Sequence, residues 1–126
     1  MAYQGVTLKN TIPDNGLTFI LDDALTEAHV GLVVTQDTTA SNKVKLAAAG
    51  DRIVGKLMNV EDRKVAGIKT GLVQLTGGME LKSSGTLAIG DSVEGGANGL
   101  VQKSTDGSDI FVWEVKDGSV IVIKNS

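Results

Sequence analysis

Cysteine is absent from the chain, proline and histidine occur once each, and the 126 residues include four aromatics, Tyr3, Phe19, Phe111 and Trp113. Each shortage removes a class of function. Without thiols there is no disulfide framework, no thiolate nucleophile and no cysteine-ligated metal. His29 alone cannot build a transition-metal site, and no G-x-S-x-G elbow accompanies it to suggest a Ser-His-Asp hydrolase. Four aromatics are too few for base-stacking platforms or for the aromatic strips of sugar-binding surfaces. Twelve basic residues against fifteen acidic ones give a net charge of −3. That thin basic coverage argues against a phosphate-tracking surface, so nucleic acid is not an expected partner.

Long apolar runs are also missing. A membrane-spanning helix needs about 20 consecutive apolar residues, and runs such as Ile110 to Trp113 fall far short, so no membrane partner is expected. The start, MAYQGVTLKN, lacks the basic and apolar stretches of a signal peptide, and synthesis in the cytoplasm is the expectation. No G-x-G-x-x-G opens a helix and no G-x-x-x-x-G-K-[ST] occurs, which leaves no phosphate cradle and no expected cofactor. Two adjacent carboxylate pairs, Asp22-Asp23 and Glu61-Asp62, would point to opposite faces of a strand, so they read as solvated charges rather than as a metal site. No catalytic constellation remains, and the chain is not expected to be an enzyme.

What the chain has in excess is glycine, 16 residues of 126, about twice ordinary usage. With a single proline, this excess reads as turns between many short strands. The stretch from Arg63 to Val101 carries the pattern most clearly: short apolar and β-branched runs broken by Gly every few residues, with no segment long enough for an ordinary helix. Val65 and Ile68, then Leu72, Val73 and Leu75, supply the faces of two short strands, with bends expected at Gly67, Gly71 and Gly77-Gly78. Asn98-Gly99 predicts a tight hairpin over Ser92 to Gln102, and Asp117-Gly118 a second one joining Ile110–Val115 to Ser119–Lys124.

Further strands are expected at Leu17–Leu21, Val30–Thr35, Val44–Leu46 and within Arg52–Val60, and one short helix at most, near Asp22 to His29. The resulting expectation is an all-β, single-domain barrel or sandwich of about eight short strands. Its core would hold Phe19, Leu21, Leu32, Val34, Ile53, Leu57, Ile68, Val73, Leu75, Leu87, Val93, Phe111, Trp113, Ile121 and Ile123. Both faces of Val120 to Ile123 are apolar, and so is the Val33-Val34 pair. One small core cannot absorb all of this surface, so self-association through Val120, Val122 and Val33 is expected.

The chain divides at its only proline. Residues 1–16 form an extended N-terminal arm and 17–126 the β-rich body. Tyr3, Val6, Leu8, Ile12 and Pro13 are the candidate binding residues of the arm: Val6, Leu8 and Ile12 alternate onto one face, and Ile12-Pro13-Asp14-Asn15-Gly16 is a turn-forming cluster. Such a segment can bind a partner outside its own fold by adding a strand to a sheet edge. An edge strand of the parent sheet is the competing reading.

An internal echo connects the two halves of the body. Ala49-Gly50-Asp51-Arg52-Ile53-Val54-Gly55 and Ile89-Gly90-Asp91-Ser92-Val93-Glu94-Gly95 share a Gly-Asp-x-β-branched-x-Gly pattern 40 residues apart. This reads as one turn used twice, in which Asp accepts backbone N–H groups two residues on.

Taken in order, GLVVT, a polar loop, Ala47-Ala48-Ala49-Gly50-Asp51-Arg52-Ile53-Val54-Gly55, then Gly71-Leu72-Val73-Gln74-Leu75 and Gly90-Asp91-Ser92-Val93 resemble the capsid decoration (cement) proteins of tailed bacteriophages, over Val30 to Val101. The resemblance implies a β-rich structural protein without enzymatic activity. It further implies a homo-oligomer, a trimer foremost, that binds the major capsid protein on the outer surface of the virion and stabilises the shell. A tail or fibre β-domain, and a β-barrel module for a small ligand or glycan, are the alternatives.

Overall fold

The computed structural model describes residues 16–63, 68–105 and 107–124, with the backbone alone at 62 and 63. The proposed arm residues Tyr3, Val6, Leu8, Ile12 and Pro13, and Val65, lie outside the described residues. The described chain is all-β, eleven short strands and two 3-10 turns.

Five strands close into a barrel. β1 (Gly16–Leu21), β3 (Lys43–Leu46), β2 (Val33–Gln36), β4 (Gly55–Leu57) and β6 (Ile68–Gln74) pair in that order, and β6 returns to β1. All neighbours are antiparallel except β1 and β3. Closure removes the free edges that a five-stranded sheet would expose. β5 (Glu61–Arg63) lies along the first half of β6. Leu21, Val34, Val44, Leu57 and Val73 fill the interior, and Leu25 is buried with them from the β1–β2 connection. Lys69 ties that connection down, its ammonium donating to the carbonyls of Asp23 at 3.0 Å and Leu25 at 2.7 Å.

The remaining strands build a second layer against the outside of the barrel. β7 (Gly77–Lys82), β11 (Ser119–Lys124) and β10 (Ile110–Lys116) form an antiparallel sheet with β11 in the middle, and β8 (Val93–Gly95) pairs with β9 (Val101–Lys103). Between this layer and the barrel wall lies a second core of Val33, Ile53, Met79, Leu81, Val93, Val101, Val112, Val120 and Val122, among others. β2 is shared: Val34 points into the barrel and its neighbour Val33 into the second core, as the two-residue strand period requires.

That division corrects the expected subunit interface. Val33, Val120 and Val122 are at most 1% exposed within the single chain, so their side chains cannot reach a second subunit. The apolar surface that looked too large for one core is absorbed by two. The expected core changes as well. Trp113 is 56% and Ile68 43% exposed, and Phe19, Leu32, Leu75, Phe111, Ile121 and Ile123 are half-buried. Ile110 and Val112 take the inward positions of β10, so the alternation puts Trp113 on the outer face, and a β-bulge between Val112 and Glu114 leaves it without a partner on β11.

Gly71 is no bend. β6 runs through it, and the expected pair of strands is one. The expected helix is a single 3-10 turn, Glu27–His29, capped by Thr26: Ala28 N–H donates to the Thr26 hydroxyl at 3.3 Å, and the His29 Nδ1 accepts from Thr26 N–H at 3.0 Å. Both expected hairpins form, the second tightly and the first around a wider loop over 96–100. Val93↔Lys103 to Gly95↔Val101 pair around Asn98 and Gly99, both at positive φ, and Lys116↔Ser119 closes directly over Asp117-Gly118.

In the β2–β3 loop, Asp37 is nearly buried. Its Oδ1 accepts from the Thr39 hydroxyl at 2.6 Å and Thr39 N–H at 3.0 Å, and Lys43 stands 3.8 Å from its Oδ2. The Thr39 hydroxyl, then the Thr39 amide and the Lys43 charge, hold this carboxyl below the usual aspartate range against a desolvation that opposes them. A carboxylate whose pKa is depressed on folding contributes stability above its unfolded pKa and loses it as pH falls through the folded one. Asp37→Asn is therefore expected to flatten the fall of melting temperature below about pH 4. Equal acid slopes for the two proteins would exclude this role.

Candidate functional site

The two Gly-Asp motifs fold into the same turn. Gly50 has φ +88° and Gly90 φ +92°. In each, the Asp carboxylate accepts the N–H of the residue three positions earlier, Ala48 to Asp51 and Ala88 to Asp91, at 2.9 Å. The bond runs backwards in sequence, not two residues on. Each turn then clamps a strand: Gly50 N–H donates to Gly95 O while Gly95 N–H donates to Asp51 O, at 2.9 and 2.7 Å; Gly90 N–H and Asp91 O bracket Val112 at 2.9 Å each.

The second motif's final glycine is thereby explained. A Cβ on Gly95 would come within 2.9 Å of the carbonyls of Ala48 and Asp51, so only glycine admits the first turn. The first turn joins the β3–β4 connection to β8, and the second pins the outer edge of β10. Asp51→Ala and Asp91→Ala are each expected to cost about 1.5–3 kcal/mol, the range for a hydrogen bond to a charged group. The two losses should add to within about 0.5 kcal/mol in urea denaturation, the sites sharing no partner. A near-zero effect at either one would contradict the clamp.

A broad concavity lies where the first turn joins the layers. It is an open groove of about 1130 Å³ between the barrel and the second layer. One wall is apolar and continuous with the barrel interior, from Phe19, Val44, Val54 and Leu75. The facing wall is polar, with Ser104, Ser108, Asp109 and Lys124. Arg52, the residue after the Gly-Asp turn, stands at the junction. Burial pushes the Lys124 ammonium below its ordinary pKa; Asp109 opposes the shift and the Arg52 charge adds to it.

Sequence reasoning did not find this groove. Arg52 and Lys124 are 72 positions apart, and the only hint in the sequence was a basic residue at each place where an apolar alternation is interrupted. A second surface is apolar and exposed: Trp113 and Val115 project from β10, beyond the segment that the second turn pins. Among the described residues no three His, Asp or Glu side chains gather as a metal site. His29 is occupied by its 3-10 turn. Asp22 turns its carboxylate to the Ala24 N–H at 3.4 Å.

Comparison with known families and with curated proteins finds no match to this chain.

Proposed function

We propose that the chain is a capsid decoration protein of a tailed bacteriophage, a structural unit that binds the major capsid protein on the outer surface of the shell and stabilises it. The observation that carries the reading is the ordered set of motifs over Val30 to Val101, centred on the two Gly-Asp turns. The architecture suits the task. Two cores sharing β2 make a body without a flexible joint through its centre, as a clamp across neighbouring capsomers requires.

In this reading the protein is a homotrimer that grips the shell through its arm, Tyr3, Val6, Leu8, Ile12 and Pro13. Three equivalent arms form their second and third contacts at high effective concentration, so each needs only modest affinity. With Val33, Val120 and Val122 committed to the core, Trp113 and Val115, two exposed apolar residues close together on β10, are offered for contact between subunits.

Co-sedimentation with empty shells is the test. The full chain should pellet with them, whereas a chain lacking residues 2–12 should keep its melting temperature and stay in the supernatant. Absence of the full chain from the pellet removes the decoration reading. The groove favours one other reading, a small-ligand or glycan module, which predicts a ligand-dependent rise in melting temperature and no association with shells.

A further inference from the structure

We infer that the groove between the barrel and the second layer is a peptide-binding site, one that takes an extended segment of a partner protein presenting an aliphatic side chain next to a carboxylate. This names the chemistry of the partner under the proposed function and rests on that reading. Three observations carry it.

The first is size and shape. The groove, about 1130 Å³, is open to solvent, as a chain entering and leaving it requires. The second is the apolar wall. Phe19, Val54 and Leu75 pack against the barrel core and are still half-exposed toward the groove, so an aliphatic side chain seated there would complete a core that is already built.

The third is the state of the charges. Of the acidic groups on the groove, Asp51 is engaged by the Ala48 amide and Glu94 by the Gln102 side-chain amide at 2.7 Å, which leaves Asp109 as the groove's one unengaged carboxylate among the described residues. Of the basic groups, Lys43 is paired with Asp37. The Arg52 guanidinium and the Lys124 ammonium have no hydrogen-bond or ion-pair partner among the described residues, and Asp109 acts on Lys124 only through its field. Two cations against the single unengaged carboxylate of Asp109 leave a surplus positive charge on the groove, which favours an incoming anion, and the guanidinium offers the forked donors that a carboxylate accepts.

The experiment is a titration of the isotope-labelled full chain with Ac-Leu-Glu-NHMe, Ac-Leu-Gln-NHMe and hexanoate, read by amide chemical shifts. The glutamate peptide should move Thr35, Arg52, Ser108 and Lys124 and bind at least five-fold more tightly than the glutamine peptide. Arg52→Glu and Lys124→Glu, both at exposed or half-exposed positions, should abolish that preference with melting temperature unchanged. Equal affinity for the two peptides, shifts confined to other surfaces, or an equal response to hexanoate would overturn the inference. So would binding that appears only after residues 2–12 are deleted, since the groove would then be the seat of the chain's own N-terminal segment. Shell co-sedimentation separates this inference from the functional reading. If the peptide binds and shells are not decorated, the functional reading falls. If shells are decorated equally by Arg52→Glu, the inference falls alone.

Discussion

Gly71→Ala is expected to remove a large part of the protein's stability, about 4 kcal/mol or more. Gly71 lies in the middle of β6 with its α-carbon against the barrel interior, and a Cβ there would collide with the backbone carbonyl of Asn59 while standing 2.9 Å from Leu21 Cδ1 and 3.2 Å from Leu57 Cδ1. Side chains can rotate away, but the carbonyl is held in the chain that leads from β4 to β5 and cannot. Gly55 in β4 faces the same difficulty with the carbonyl of Gln74. Forced displacement of barrel backbone belongs among changes costing more than about 4 kcal/mol, against a total stability of about 5–15 kcal/mol. The control is Gly50→Ala, at φ +88° with nothing within 4 Å of the added Cβ. It should cost only the left-handed backbone strain, about 1–2 kcal/mol. Circular dichroism through a urea titration distinguishes the two. A Gly71→Ala protein as stable as Gly50→Ala would mean that the barrel is looser than its geometry.

Truncating one buried leucine in each core should be nearly as severe. Leu57 is fully buried in the barrel and Leu81 is 1% exposed in the second core, and Leu→Ala at such positions costs about 2–5 kcal/mol through lost transfer energy and the cavity left behind. The informative outcome is the shape of the transition. β2 contributes Val34 to one core and Val33 to the other, so neither layer can lose its packing without exposing the shared strand. Leu57→Ala and Leu81→Ala are therefore expected to shift one cooperative unfolding curve, with tryptophan fluorescence from Trp113 and far-ultraviolet circular dichroism coincident. Separate transitions for the two probes would show that the layers unfold independently and that sharing β2 does not couple them.

Local chemistry was legible. The turn dipeptides Asn98-Gly99 and Asp117-Gly118 form the hairpins their φ preferences demand, and the doubled Gly-Asp pattern is one turn made twice. The groove was not legible, because Arg52 and Lys124 meet only when β11 has been laid beside β7 and the barrel has closed behind them.

By itself the sequence determined the all-β class and the two hairpin turns, since glycine spacing, β-branching and short apolar runs act over a few residues. The tertiary structure alone decided which face of each strand is interior. Val120 to Ile123 are apolar on both faces, so periodicity carries no phase; pairing with β7 and β10 turned Val120 and Val122 inward and left Ile121 and Ile123 half-covered. On β10 the same choice of phase turned Ile110 and Val112 inward and put the one tryptophan outside. It also decided that surplus apolar surface would be spent within the chain. Burial depends on what lies opposite a side chain, and that partner is set by strand order, which no local window of sequence contains.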